Sequence, residues 1–175
     1  MRKQNRGILV VVEGVDGVGK TTAFFSVYYY LNALGYDVVK TSESAKSVEG
    51  IDNTFASILV SQVREMYTQE QADATTQSLM INAARRAHYQ NVIEPLLKAG
   101  KVIIMDRFYL STFFNYKTEC PVNGQIYSLA MGQFKPDYTV VLRANAETSR
   151  TRIAARCGFL DINDDKAIAR FATIQ

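Results

Sequence analysis

Gly14-Val15-Asp16-Gly17-Val18-Gly19-Lys20-Thr21 fits the pattern G-x-x-x-x-G-K-[ST], and this feature constrains the fold more than any other in the chain. The pattern asks for a strand before it and a helix after it. Ile8 to Val12 is a continuous apolar run, rich in β-branched residues, that suits a strand buried on both faces of a parallel sheet. Lys20 to Leu34 reads as a helix, with Gly35 placed to end it. Glycines let successive backbone N–H groups turn inward on a phosphate. The helix start presents its positive end to the same anion. Lys20 can then reach the β- and γ-phosphates of a nucleotide, and the Thr21 hydroxyl can ligate Mg²⁺. A random chain of this length with average residue usage would show the pattern about once in 200. Gly14, Val15, Asp16, Gly17, Val18, Gly19, Lys20, Thr21 and Thr22 are therefore read as the ATP site, with Lys20 as a catalytic cation.

Strand and helix patterns alternate along the rest of the chain. Tyr36 to Lys40, Lys101 to Met105 and Tyr138 to Leu142 read as further strands. Ser42 to Asn53 is polar and without period, and reads as a loop. Glu70 to Lys98 is largely helical, with a kink or restart expected at Pro95. Ser111 to Tyr116 also reads as helical, and Cys120 to Gly124 as a turn. Asn145 can cap a helix that Gly158 closes, and a last helix begins near Asp165. This order implies one α/β domain over residues 1–175: a parallel sheet with right-handed crossovers and helices on both faces. Ligands in such sheets bind beyond the carboxyl ends of the strands. The segments that follow strands, Gly14 to Thr22, Thr41 to Ser44, Asp106 to Ser111 and Arg143 onward, are the places to look for a site.

The run Val102-Ile103-Ile104-Met105 ends in Asp106. Beside a phosphate loop, a carboxylate at a strand end helps hold Mg²⁺, so Thr21 and Asp106 form the expected metal pair. The next residue is Arg107. A hydrolase would want an acid there to activate water. An arginine suits a bidentate grip on a second phosphate, which favours transfer between phosphates.

Composition excludes little. The 175 residues are 47% hydrophobic and 21% charged, with a net charge of +3. That charge suits an anionic small substrate as well as weak contact with nucleic acid and decides between neither, though nucleic acid is not the expected partner. No apolar run approaches the roughly 18 residues that span a membrane. Cys120 and Cys157 have no metal-ligand spacing, and the only histidine is His88. Free thiols in a reducing cytoplasm are the expectation.

Taken together, Glu13 to Thr22, Ala83-Ala84-Arg85-Arg86-Ala87, Val92-Ile93-Glu94-Pro95, Ala99-Gly100-Lys101, Asp106-Arg107-Phe108 with Ser111-Thr112, and Lys135-Pro136-Asp137-Tyr138-Thr139 resemble the thymidylate kinase family, from Ile8 to about Phe171. The resemblance implies a three-layer P-loop NTPase fold. It also implies transfer of the γ-phosphoryl of ATP to thymidine monophosphate or a related deoxynucleotide, with Mg²⁺, in a cytoplasmic enzyme, and it suggests a homodimer. Asp16 would contact the deoxyribose 3′-hydroxyl, Arg107 would hold the acceptor phosphate, Arg86 would reach the base edge, and Asp106 would orient the acceptor or the metal. Asn82 stands where the family has a ring stacked on thymine, and Asn115 where it has an aromatic. Both, with Ser111, belong to the expected acceptor pocket. Thr41-Ser42-Glu43-Ser44 replaces a Thr-Arg-Glu-Pro stretch whose arginine grips the acceptor phosphate. A lid over about 150–165 would supply a transition-state arginine, with Arg150, Arg152 and Arg156 as candidates and Arg152 and Arg156 taken as catalytic. The family pattern continues beyond Gln175 with a further strand and helix.

Two other readings stay open: a P-loop kinase acting on a hydroxyl of a nucleoside, another small molecule or a modified base in DNA, and a nucleotide-binding module without turnover. A guanine-reading Asn-Lys-x-Asp motif is absent, which argues against a GTPase switch.

Overall fold

Four parallel strands form the centre of the computed structural model, which describes residues 6–69, 72–111, 120, 122–132 and 134–157. They are β1 (Ile8–Glu13), β2 (Val38–Thr41), β5 (Val102–Asp106) and β6 (Tyr138–Val141), in the spatial order β2-β5-β1-β6. Register places Val12 beside Asp106 and Glu13 beside Val141, so the carboxyl ends of the three strands lie side by side. Between β2 and β5 the chain adds a short antiparallel hairpin, β3 (Ser47–Val48) and β4 (Ile51–Asp52). The hairpin falls within the stretch read as loop.

Alternation along the strands divides the core in two. Leu9, Val11, Val39, Ile103 and Met105 face one way and pack on Val92, Ile93, Leu96 and Leu97. Val12, Val38 and Ile104 face the other way and pack on Phe24, Val27, Tyr28 and Leu31 of α1 (Lys20–Ala33). Helices therefore cover both faces, as the strand patterns predict. The α1 helix ends in a Schellman arrangement: Gly35, at φ +84°, donates to Asn32 O at 2.9 Å, and Tyr36 donates to Leu31 O at 3.2 Å.

Within the stretch read as helical from Glu70, the helix α3 (Ala74–His88) starts behind its Asp73 cap. A separate helix that the sequence reading does not include, α2 (Thr54–Thr68), precedes it and packs on it through Ala56, Val60, Val63, Ile81 and Ala84. The irregularity expected at Pro95 lies one turn ahead of it, as a π-helical turn over Tyr89–Ile93 that leads into α4 (Glu94–Lys98). Pro95 has no N–H for the carbonyl four residues back, and the wider turn absorbs that missing bond. Of the segment expected to be a turn, Cys120 to Gly124, Val122 is a turn residue, whereas Asn123 and Gly124 already belong to a helix, α5 (Asn123–Met131). Asn145 caps α6 (Ala146–Cys157), accepting from Thr148 N at 2.7 Å. The expectations for 112–116, Gly158, the lid beyond 157 and the helix from Asp165 lie outside the described residues.

Candidate functional site

The loop after β1 needs glycine where it packs closely against neighbouring backbone. Gly17 has φ +76°, and a Cβ there would collide with the Ser149 carbonyl of α6. Gly19 caps α1 at φ +102°, a backbone region that side-chain-bearing residues rarely take. Asp16, Gly17, Gly19, Lys20, Thr21 and Thr22 line one cleft here, together with Asp106, Arg107, Arg152 and Arg156. Arg152 Nη1 donates to the carbonyls of Gly17 and Val18, each at 3.3 Å. Of the three lid candidates, Arg152 and Arg156 thus line this cleft.

A second cleft opens beside the first. It is lined by Ser42, Glu43, Ser44, Val60, Arg64, Ile81, Arg85, Phe108 and Ser111, and shares Asp16, Asp106 and Arg107 with its neighbour. Those three residues are the partition between the two spaces. Arg107 Nη2 donates to Asp16 Oδ1 at 2.6 Å, and Nη1 to Ser111 Oγ at 3.1 Å and Gly14 O at 3.3 Å. Lys20 Nζ donates to Val15 O at 2.7 Å and approaches the same Asp16 oxygen at 3.4 Å. Burial alone would push the Asp16 carboxyl up, but the Arg107 guanidinium and then the Lys20 ammonium outweigh it and hold it below its usual value. Burial, with repulsion from Arg107, pulls the Lys20 ammonium down to about 8 against the attraction of Asp16 and Asp106.

Arg107 adopts φ +66°. A left-handed backbone costs a side-chain-bearing residue about 1–2 kcal/mol, so its surroundings must impose it. Glu13, 1% exposed at the end of β1, accepts from Phe108 N at 2.8 Å and Leu110 N at 3.1 Å through Oε1, and from the Ser111 hydroxyl at 2.6 Å through Oε2.

The acceptor-side expectations on α3 are corrected by one residue. Arg86 is exposed, with its guanidinium over the Tyr89 ring at 5.8 Å. Arg85, 2% exposed, is the arginine that lines the cleft. It donates through Nε to Glu43 Oε1 at 2.7 Å, through Nη1 to Asn82 Oδ1 at 2.9 Å and through Nη2 to Phe108 O at 3.3 Å. Asn82 is buried and holds Arg85, and its own amide donates to Ser78 O at 2.8 Å. The side chain four residues before Arg85 that does face the cleft is Ile81. A helix turns about 100° per residue, so a shift of one exchanges cleft for solvent. The buried residues of α3 are Gln77, Ser78, Ile81, Asn82, Ala84, Arg85 and His88, a stripe that includes Arg85 and leaves out Arg86. Asn115 lies outside the described residues. Glu13, Arg64 and Arg85 line or brace the site without a role assigned to them from the sequence, and Glu43 lies in the Thr41 to Ser44 segment that the end of a strand marks as a place to look.

Burial pushes the Glu43 carboxyl up, and Arg85 only partly offsets it. The loop bearing Glu43 is pinned from behind. Asn53 Nδ2 donates to Ala45 O at 2.5 Å and Glu43 O at 3.3 Å, and Asn53 Oδ1 lies 2.9 Å from His88 Nδ1. His88 Nε2 lies 3.0 Å from Thr41 Oγ1. Burial pulls the His88 imidazole down to about 4, so near neutrality it donates to Asn53 and accepts from Thr41.

A glycine loop closing on a helix start, at the carboxyl edge of a parallel sheet, with two clefts parted by an arginine and two carboxylates, defines a P-loop phosphotransferase. Comparison with known proteins narrows the class. The thymidylate kinase family model matches residues 12–173. A thymidylate kinase of Ruegeria pomeroyi is 33% identical over 159 residues, 87% of this chain and 70% of the relative. One of Mycoplasma genitalium is 28% identical over 158 residues, with the same shares. In fold, the chain is similar to the crystal structure of thymidylate kinase from Ehrlichia chaffeensis, with a TM-score of 0.62, 24% identity, and coverage of 97% of this chain and 99% of that one. The chain belongs to the thymidylate kinase family, whose members are nucleoside monophosphate kinases. Among the described residues, no helix is long and apolar enough to cross a membrane.

Proposed function

We infer that the chain transfers the γ-phosphoryl of ATP to thymidine monophosphate, giving the diphosphate. The observation that carries this is the pair of clefts sharing Asp16, Asp106 and Arg107. A hydrolase needs room for one water, whereas this site has a second nucleotide-sized arm with cationic and apolar walls. ATP phosphates lie along the loop, where backbone N–H groups and Lys20 neutralise them. The acceptor phosphate meets Arg107, and its base lies toward Ile81, Val60 and Arg85. Ile81 and Val60 supply apolar contact without a stacking ring. Arg152 and Arg156 stand on the donor side, where charge develops on the transferred group. In-line transfer between bound phosphates is chiefly a matter of position and charge.

Mg²⁺ fits the same place. Asp106 Oδ1 is buried with no hydrogen-bond partner, and Thr21 lines the same cleft. An oxygen pair of this kind, completed by phosphates and water, suits that ion. Bound there, Mg²⁺ would neutralise charge on the β- and γ-phosphates. A cytoplasmic location accords with ATP and deoxynucleotide substrates. A homodimer would cover the exposed Phe55 and Ile58 of α2.

ADP release measured across the deoxynucleoside monophosphates tests the reading. Turnover that favours dTMP over the other three is expected. Release no faster than with ATP alone, for every acceptor, would overturn it.

A further inference from the structure

The geometry assigns Glu13 as the positioning residue for Arg107, and so for acceptor capture. This rests on the reading of the second cleft as the acceptor site. Glu13 lies behind both clefts, 1% exposed, and its two oxygens take three donors from residues 108–111. The segment they hold is the one that carries the left-handed backbone of Arg107. The Arg107 N–H is fixed from the other side, donating to Val12 O at 3.0 Å. Ser111 closes the circuit, because its hydroxyl donates to Glu13 Oε2 at 2.6 Å and its oxygen accepts from Arg107 Nη1 at 3.1 Å. One buried carboxylate therefore sets both the backbone and one guanidinium nitrogen of Arg107.

The demand is for a carboxylate in particular. Three donors converge on Glu13, and an ionised carboxyl accepts them all without offering a hydrogen of its own. Glutamine keeps Oε1 for Phe108 and Leu110 but turns an N–H₂ on the Ser111 oxygen. That oxygen already serves Arg107. The defect is then passed to the guanidinium and not to the ATP side.

Steady-state kinetics of the full chain with ATP and dTMP, alongside thermal melting, test this. Glu13→Gln should raise the KM for dTMP about three- to tenfold and leave the KM for ATP within about twofold. Glu13→Ala should raise the dTMP KM by about ten- to a hundredfold. Ser111→Ala removes the bridging hydroxyl at a residue that itself lines the acceptor cleft, so its readout is the crystal structure: displacement of Arg107 Nη1 is expected, and it decides the matter if a Glu13 variant does not fold. Folded variants in which both KM values move together, or neither moves, would overturn the assignment. So would a crystal structure of Glu13→Gln in which Arg107 keeps its backbone and its contact with Asp16. Turnover of dTMP by the unaltered chain tests the functional reading, while the split between variants tests Glu13, which separates the two failures.

Discussion

The donor and acceptor clefts share a wall and are built in opposite ways. The donor cleft comes largely from one contiguous stretch, residues 16–22, shaped by backbone and glycine. The acceptor cleft gathers side chains from the segment after β2, from α2, from α3 and from the segment after β5. A backbone cradle tolerates change around it. A side-chain cradle depends on the register of every helix that feeds it and on braces such as Glu13, Asn53 and His88. The difference predicts that donor-side lesions act on chemistry alone, whereas acceptor-side lesions mix binding with stability.

Lys20→Ala should give the largest loss, a fall in turnover of about a hundredfold or more with little change in melting temperature. A variant near normal activity would break the assignment of the donor side. The same lysine sharpens it through pH. With an ammonium value near 8, the free enzyme holds the charge below that pH and loses it above. kcat/KM for ATP should therefore fall as pH rises through about 8, while kcat, measured with phosphates bound, holds to higher pH.

Arg107→Ala comes next. Loss of one charge-assisted contact, about 1.5–3 kcal/mol, should lower kcat/KM for the acceptor about ten- to a hundredfold and spare the KM for ATP. An equal effect on both substrates would dissolve the distinction between the clefts.

Arg85→Ala and Arg86→Ala test the register of α3 directly. The first strands a buried Glu43 and should cost about 3–5 kcal/mol in stability, together with acceptor binding. The second removes an exposed side chain and should cost under about 1 kcal/mol, with activity intact. The reverse order, read by chemical denaturation and kinetics, would restore Arg86 to the site.

The titration of His88 should have the smallest effect at neutral pH. Its imidazole value falls from 6.5 unfolded to about 4 folded. The unfolded chain thus binds the proton first, and stability is lost as pH falls from about 6.5 toward 4. The loss reaches about 3 kcal/mol at most. Glu43, pushed up by burial, works against it at the acid end. A shallower slope of melting temperature against pH in His88→Asn than in the unaltered chain is the expected reading.

Local chemistry alone made much of this protein legible. The phosphate loop, its flanking strand and helix, the Asp106 strand end, the Asn145 cap and the alternation that makes a parallel sheet all rest on neighbours in sequence. Period and turn chemistry are enough to specify them. Three things came only with tertiary structure. The π-helical turn before Pro95 depends on how α3 and α4 pack on the sheet. The choice of Arg85 over Arg86 depends on which side of α3 faces Glu43 and Phe108, and adjacent arginines look alike until that face is known. The role of Glu13 depends on donors at 108, 110 and 111, which meet it only because β1 and β5 lie side by side. A buried carboxylate is defined by what surrounds it, and here its surroundings come from the far side of the sequence.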